Sequence, residues 1–122
     1  MIDKKSFYIN GQWVLPKKSN DFKVIDPSTE EECAVISLGG IDDVNDAVEA
    51  AKKAFETWAF SSKDERLKYL DALYALYKKR WADMAKAISL EMGAPADFSN
   101  QLQAGTGASH IKSYIKVLKE YT

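Results

Sequence analysis

The sequence predicts an α+β fold, in which an N-terminal β-hairpin and further strands precede three or four helices. Three observations carry that expectation. Asn10-Gly11 separates two triplets rich in β-forming residues. Near Ile41 the apolar period changes from two to about 3.6. Ser62-Lys63-Asp64-Glu65 has the pattern of a helix capping box.

Taken in order, Phe7-Tyr8-Ile9 and Gln12-Trp13-Val14 flank a dipeptide in which both residues tolerate positive φ, so a hairpin is expected over 7–14. Pro16 to Asn20 is a polar loop. Phe22-Lys23-Val24-Ile25 opens an extended segment that has to stop near Asp26-Pro27, because proline cannot donate to a ladder. Asp26-Pro27-Ser28-Thr29 is then a turn, and Cys33 to Leu38 is a strand ending at Gly39-Gly40.

From Ile41 onward, Val44, Ala47, Val48, Ala51, Phe55 and Trp58 fall on one face of a helix, with Asp42, Asp43 and Asp46 near its positive end. A second helix starts at the capping box, where the Ser62 hydroxyl takes the Glu65 N–H and the Glu65 carboxylate returns to the Ser62 N–H. Leu67, Leu70, Tyr74, Tyr77, Trp81, Met84 and Ile88 continue its stripe without interruption, which predicts one helix as far as Glu91, ended by Gly93 and Pro95. Ala96 to Tyr121 is helical with a stripe at Ile111, Tyr114, Ile115 and Leu118. Gly105 and Gly107 in its middle predict a break or a close helix approach. With no repeat and no low-complexity linker, 1–122 is read as one portion of a domain, β-rich over 1–40 and helical over 41–122.

Composition narrows the function classes. With 46% hydrophobic and 29% charged residues, the 122-residue chain has the make-up of a soluble globular domain rather than a disordered one. Seventeen basic against eighteen acidic side chains give a formal charge of -1, which supplies no general attraction to nucleic acid, so no nucleic-acid partner is expected. The basic runs Lys4-Lys5, Lys17-Lys18 and Lys78-Lys79-Arg80 are interleaved with acids and read as solvated surface. The lone Cys33 excludes an intramolecular disulfide and fits a reducing compartment. No export signal or membrane-length apolar run is present, so a cytoplasmic location and no membrane partner are expected.

Candidate chemistry is sparse. His110 is the only histidine and has no second ligand of recognisable spacing. Gly105-Thr106-Gly107-Ala108-Ser109-His110 begins like a dinucleotide fingerprint, yet His110 replaces the third glycine and no apolar strand precedes it. Nothing near Cys33 in sequence would activate its thiol. Glu30-Glu31-Glu32 lie on a turn or extended segment, where successive side chains diverge. Tyr74, Tyr77 and Trp81 could stack on a ligand ring, although helical spacing favours packing. The residues alone show no catalytic constellation, which leaves open a non-catalytic helical module that assembles with a partner or a full-length paralogue.

The order of segments adds what no single motif does. Tyr8-Ile9-Asn10-Gly11-Gln12-Trp13-Val14 is followed by Ile25-Asp26-Pro27-Ser28-Thr29-Glu30-Glu31. Asp43-Val44 then leads to Ala47-Val48-Ala50-Ala51-Ala54-Phe55-Trp58, Glu65-Arg66-Leu67 and Glu91-Met92-Gly93-Ala94-Pro95. In register, this series resembles roughly the first quarter of an aldehyde dehydrogenase superfamily member. Two departures stand out. Asp26 replaces the family's usual asparagine in the turn, and Glu30 or Glu31 occupies the place of its glycine. The Gly-Lys-Pro segment reads Gly93-Ala94-Pro95.

The resemblance implies the N-terminal portion of the cofactor-binding domain of an α/β enzyme. Such an enzyme uses NAD or NADP to oxidise an aldehyde to a carboxylic acid, through a cysteine thiolate, hydride transfer and hydrolysis of the resulting thioester. It places the catalytic and cofactor-binding residues beyond Thr122, so none is assigned here and the chain alone is expected to be inactive. Implied partners are the remainder of the chain, further copies in a homo-oligomer, and an aldehyde substrate. The resemblance also implies a structural sodium or potassium ion held by the backbone carbonyls of Val24 and Ile25 and by the side chain of Glu91.

Overall fold

The computed structural model describes residues 1–121. Thr122, the last residue of the helical segment expected over 41–122, lies outside the described residues. Contacts divide the chain into two compact units, Met1–Phe60 and Ser61–Thr122.

The first unit holds five strands and one long helix: β1 (Ile2–Lys4), β2 (Phe7–Ile9), β3 (Gln12–Val14), β4 (Asp21–Asp26), β5 (Glu31–Ser37) and α1 (Ile41–Trp58). The hairpin forms where the Asn-Gly signal puts it. Tyr8 pairs with Trp13 across it, their rings 5.2 Å apart, and Asn10 and Gly11 turn the chain at φ 52° and 76°. A separate three-stranded sheet has the order β1-β5-β4, with β1 parallel to β5 and β4 antiparallel to it. Strand β1 carries no signal in the sequence, since three exposed residues owe their extended form to pairing with β5 rather than to their own pattern.

Helix α1 covers the segment its periodicity predicts and is anchored at its start by Asp43. One carboxylate oxygen takes the Gly40 N–H at 2.8 Å, the other the Lys17 N–H at 2.8 Å. Both bonds favour the charged form, and together they hold the Asp43 carboxyl below the usual carboxylate range, the Lys17 bond contributing most. The apolar stripe along the rest of α1 stays uncovered, with Val44 56% and Phe55 64% exposed.

The second unit is helical: α2 (Lys63–Lys79), α3 (Trp81–Met92), the single turn α4 (Ala96–Phe98), a π-helical turn (Ser99–Gln103) and α5 (Ala104–Glu120). At the capping box, the Ser62 hydroxyl accepts the Glu65 N–H at 3.1 Å. The single helix expected as far as Glu91 is divided at Arg80 (φ -104°, ψ 18°). There the Arg80 N–H is shared between Leu76 O at 3.0 Å and Tyr77 O at 3.1 Å, a tightened end that the side-chain stripe does not reveal. The division lets α2 lie along α5 while α3 packs on the π-helical turn. Gly93 ends α3 in the left-handed conformation at φ 66°, two residues before Pro95.

The core of this unit is built on small residues. Ala85, Ala104, Ala108 and Ile115 are buried, and the two glycines of α5 mark a close approach rather than a break. A Cβ on Gly107 would lie 2.8 Å from Cζ of Tyr77, whose hydroxyl donates to Ala104 O at 2.8 Å. The architecture is therefore α+β, hairpin and sheet first and helices after.

Candidate functional site

Val24 and Ile25 are consecutive on β4, in the first unit, and the ladder is irregular at that point. Val24 pairs with Ala34 but Ile25 with Glu32, so Cys33 is the extra residue of a β-bulge in β5. The Cys33 thiol donates to Val24 O at 3.4 Å, a weak bond that leaves the carbonyl a second lone pair. Cys33 is thus half-buried in the sheet and hydrogen-bonded to backbone.

Glu91 is an exposed residue in the last turn of α3, in the second unit. Helix carbonyls concentrate negative charge there, so a carboxylate at that end is complemented by a cation. Among the described residues, no three His, Cys, Asp or Glu side chains gather closely enough to hold a metal.

The remaining candidates take structural places. Gly105 to His110 lies inside α5, so its glycines form no phosphate loop, and His110 is exposed. Glu30 stands at the end of the Asp26 turn and Glu31 and Glu32 open β5. The Lys23 ammonium pairs with Glu32. Tyr77 and Trp81 meet edge to face with ring centres 6.1 Å apart, and both donate to α5 and the turn before it: Tyr77 Oη to Ala104 O and Trp81 Nε1 to Asn100 O, each at 2.8 Å. A stripe that could have stacked on a ligand instead fastens helix to helix.

Two buried polar groups have bonding partners that the sequence does not reveal. Ser99 is fully buried and joins Ser89 (3.1 Å) and Gln103 (3.2 Å), while the Ser89 hydroxyl reaches Ala94 O at 2.8 Å. The Ser99 hydroxyl donates to Gln103 Oε1, and the Ser89 proton is shared between Ala94 O and Ser99 Oγ. Asp43 is the other, its two backbone bonds fixing the Lys17 loop to the start of α1.

Comparison with known proteins says to which family these features belong. The family model described as "Aldehyde dehydrogenase family" matches residues 13–122. The chain belongs to the aldehyde dehydrogenase family.

Among curated aldehyde dehydrogenase relatives, it is 41% identical to a 3-succinoylsemialdehyde-pyridine dehydrogenase of a Pseudomonas species, over 99% of this chain and 26% of that protein. A Staphylococcus epidermidis putative aldehyde dehydrogenase is 39% identical over 85% of this chain and 22% of its own length. Among solved structures, the aldehyde dehydrogenase of Bartonella henselae superposes with a TM-score of 0.98 at 52% identity, covering 100% of this chain and 26% of that one. An aldehyde dehydrogenase of Pseudomonas syringae, in complex with NAD+ and octanal, superposes at 0.94 and 34% identity, covering 97% and 24%. The chain spans about a quarter of the length of the relatives it matches.

A turn forms at 26–30 with the residues this chain carries. Asp26 Oδ1 accepts the Ser28 N–H and Asp26 O the Glu30 N–H, each at 2.8 Å, which an asparagine could equally do. Glu30, at φ 61°, takes the left-handed conformation that suits the family's glycine.

Proposed function

We propose that this chain is the N-terminal part of the cofactor-binding domain of an NAD(P)-dependent aldehyde dehydrogenase, and that it contributes scaffold while the rest of the protein supplies the chemistry. The observation that carries the reading is the match along nearly the whole chain to proteins about four times its length. The complete enzyme would oxidise an aldehyde to a carboxylic acid, with NAD favoured by the relative from Pseudomonas syringae that is described with NAD+ and octanal. By itself the chain would be inactive.

The exposed stripe of α1 would be covered in the complete protein, by the remaining chain or by another copy in a homo-oligomer. The Val24 and Ile25 carbonyls and the Glu91 carboxylate are the proposed ligands of a structural sodium or potassium ion, supported by the family resemblance and by the hard oxygen donors these groups offer. No described helix is long and apolar enough to cross a membrane, and the near-neutral charge and lone thiol favour a cytoplasmic enzyme.

Sequencing the gene beyond codon 122 tests the reading. A frame that continues through further strands to a cysteine and a glutamate, and whose product reduces NAD+ or NADP+ with short aldehydes, is the expected result. A stop codon at that point would instead favour a non-catalytic module.

A further inference from the structure

In a regular α-helix Asn100 O would receive the Ala104 N–H, four residues on. Here the Ala104 N–H donates to Ser99 O, five residues back, so the π-helical turn takes from Asn100 O its regular amide. The acceptor is filled from another helix, by Trp81 Nε1–H at 2.8 Å. The same indole covers Gly105, where a Cβ would meet its ring at 3.7 Å. About one turn further on, Tyr77 Oη donates to Ala104 O, and its ring closes over Gly107. Two aromatic donors one turn apart on α2 and α3 therefore bracket the place where the wide turn gives way to α5.

We propose that Trp81 is a register lock: by hydrogen-bonding the carbonyl that the wide turn deprives of its amide, it pins the extra residue between Ser99 and Gln103 and so sets which face α5 presents. Helix geometry gives the consequence. Moving a wide turn past a helical position rotates that position by about 100° relative to the rest of the helix. With the turn held at 99–103, Ala104, Ala108, Ile111 and Ile115 face inward, and His110, Tyr114 and Val117 form the outward stripe, Tyr114 being 70% exposed. Gly105 and Gly107 are the positions where a released turn would settle, because glycine resists departure from the regular helix least. Trp81 is thus a positioning residue for the outer face of α5.

The test uses the full-length protein in two forms, Trp81→Phe and Trp81 replaced by benzothienylalanine, which keeps the ring shape and puts sulfur where the N–H was. Hydrogen exchange read on the peptides spanning 99–108 should accelerate about tenfold in the sulfur isostere, the order expected for one lost bond, while α2 exchanges as before. Its crystal structure should show the Ala104 N–H returned to Asn100 O, or the wide turn moved toward Gly107. An isostere that exchanges at the native rate and keeps Ala104 N–H on Ser99 O would overturn the proposal. So would a Trp81→Phe protein that fails to fold beside an isostere indistinguishable from the native one, since packing alone would then explain the residue.

Discussion

Glu30 carries a left-handed backbone that L side chains adopt at a cost of roughly 1–2 kcal/mol. Its replacement by the family's glycine keeps both Asp26 bonds and removes that cost, less the entropy that glycine adds to the unfolded chain. Glu30→Gly is expected to stabilise the full-length protein by about 0.5 kcal/mol, read as a higher urea midpoint. A lower midpoint would mean that the turn is unstrained.

Asp43 makes a pH-dependent contribution of known sign. Its folded pKa is depressed, so the stabilisation is complete above the unfolded carboxylate value of about 3.9 and is lost as pH falls through the lower folded value. Asp43→Asn keeps an acceptor but not the charge. The difference in urea midpoint between native and Asp43→Asn proteins should be constant near neutrality and shrink toward acid; a difference that ignores pH would refute the assignment. At this scale the sequence shows where an acidic residue opens a helix, but not that the Lys17 backbone would come to meet it, since that bond spans a loop.

Elements were legible where a local rule decides them. Asn10-Gly11, Ser62, Gly93 and Pro95 each fix a backbone conformation through their own chemistry, and the hairpin, the start of α2 and the end of α3 fall accordingly. The break at Arg80 and the π-helical turn were not legible. Neither has a proline or glycine at its centre, and both arise because α2 and α3 serve different neighbours, with Tyr77 and Trp81 bonding two separate carbonyls. The same contacts explain Gly107. An alanine there would gain about 1 kcal/mol of helix propensity but would overlap a Tyr77 ring that its own hydrogen bond holds in place. Overpacking costs roughly 1–3 kcal/mol, so Gly107→Ala should lose about 1 kcal/mol overall, with Gly105→Ala close to neutral or stabilising because its Cβ finds ordinary contact. Thermal unfolding of the two variants gives the order directly; Gly107→Ala more stable than Gly105→Ala would contradict the close approach.

Large apolar side chains are exposed in both units, Val44, Val48 and Phe55 in the first and Leu73, Leu76 and Tyr114 in the second. A 122-residue polypeptide made alone is accordingly expected to associate or to unfold without a cooperative transition, and a sharp monomer peak with a cooperative melt would oppose this. The family was legible in the sequence because it is written in an ordered series from Tyr8 to Pro95, most of it in turns, caps and helix faces that the fold then uses. A reaction was not legible, because the signals the sequence does carry are those of hairpin, cap and packing residues, which set backbone and helix faces rather than chemistry. NADH release from a short aldehyde and NAD+ is the direct measure of that division of labour, made on the 122-residue chain and on the full-length protein side by side. The account predicts turnover by the full-length protein and none by the chain alone; turnover by the chain alone would contradict it.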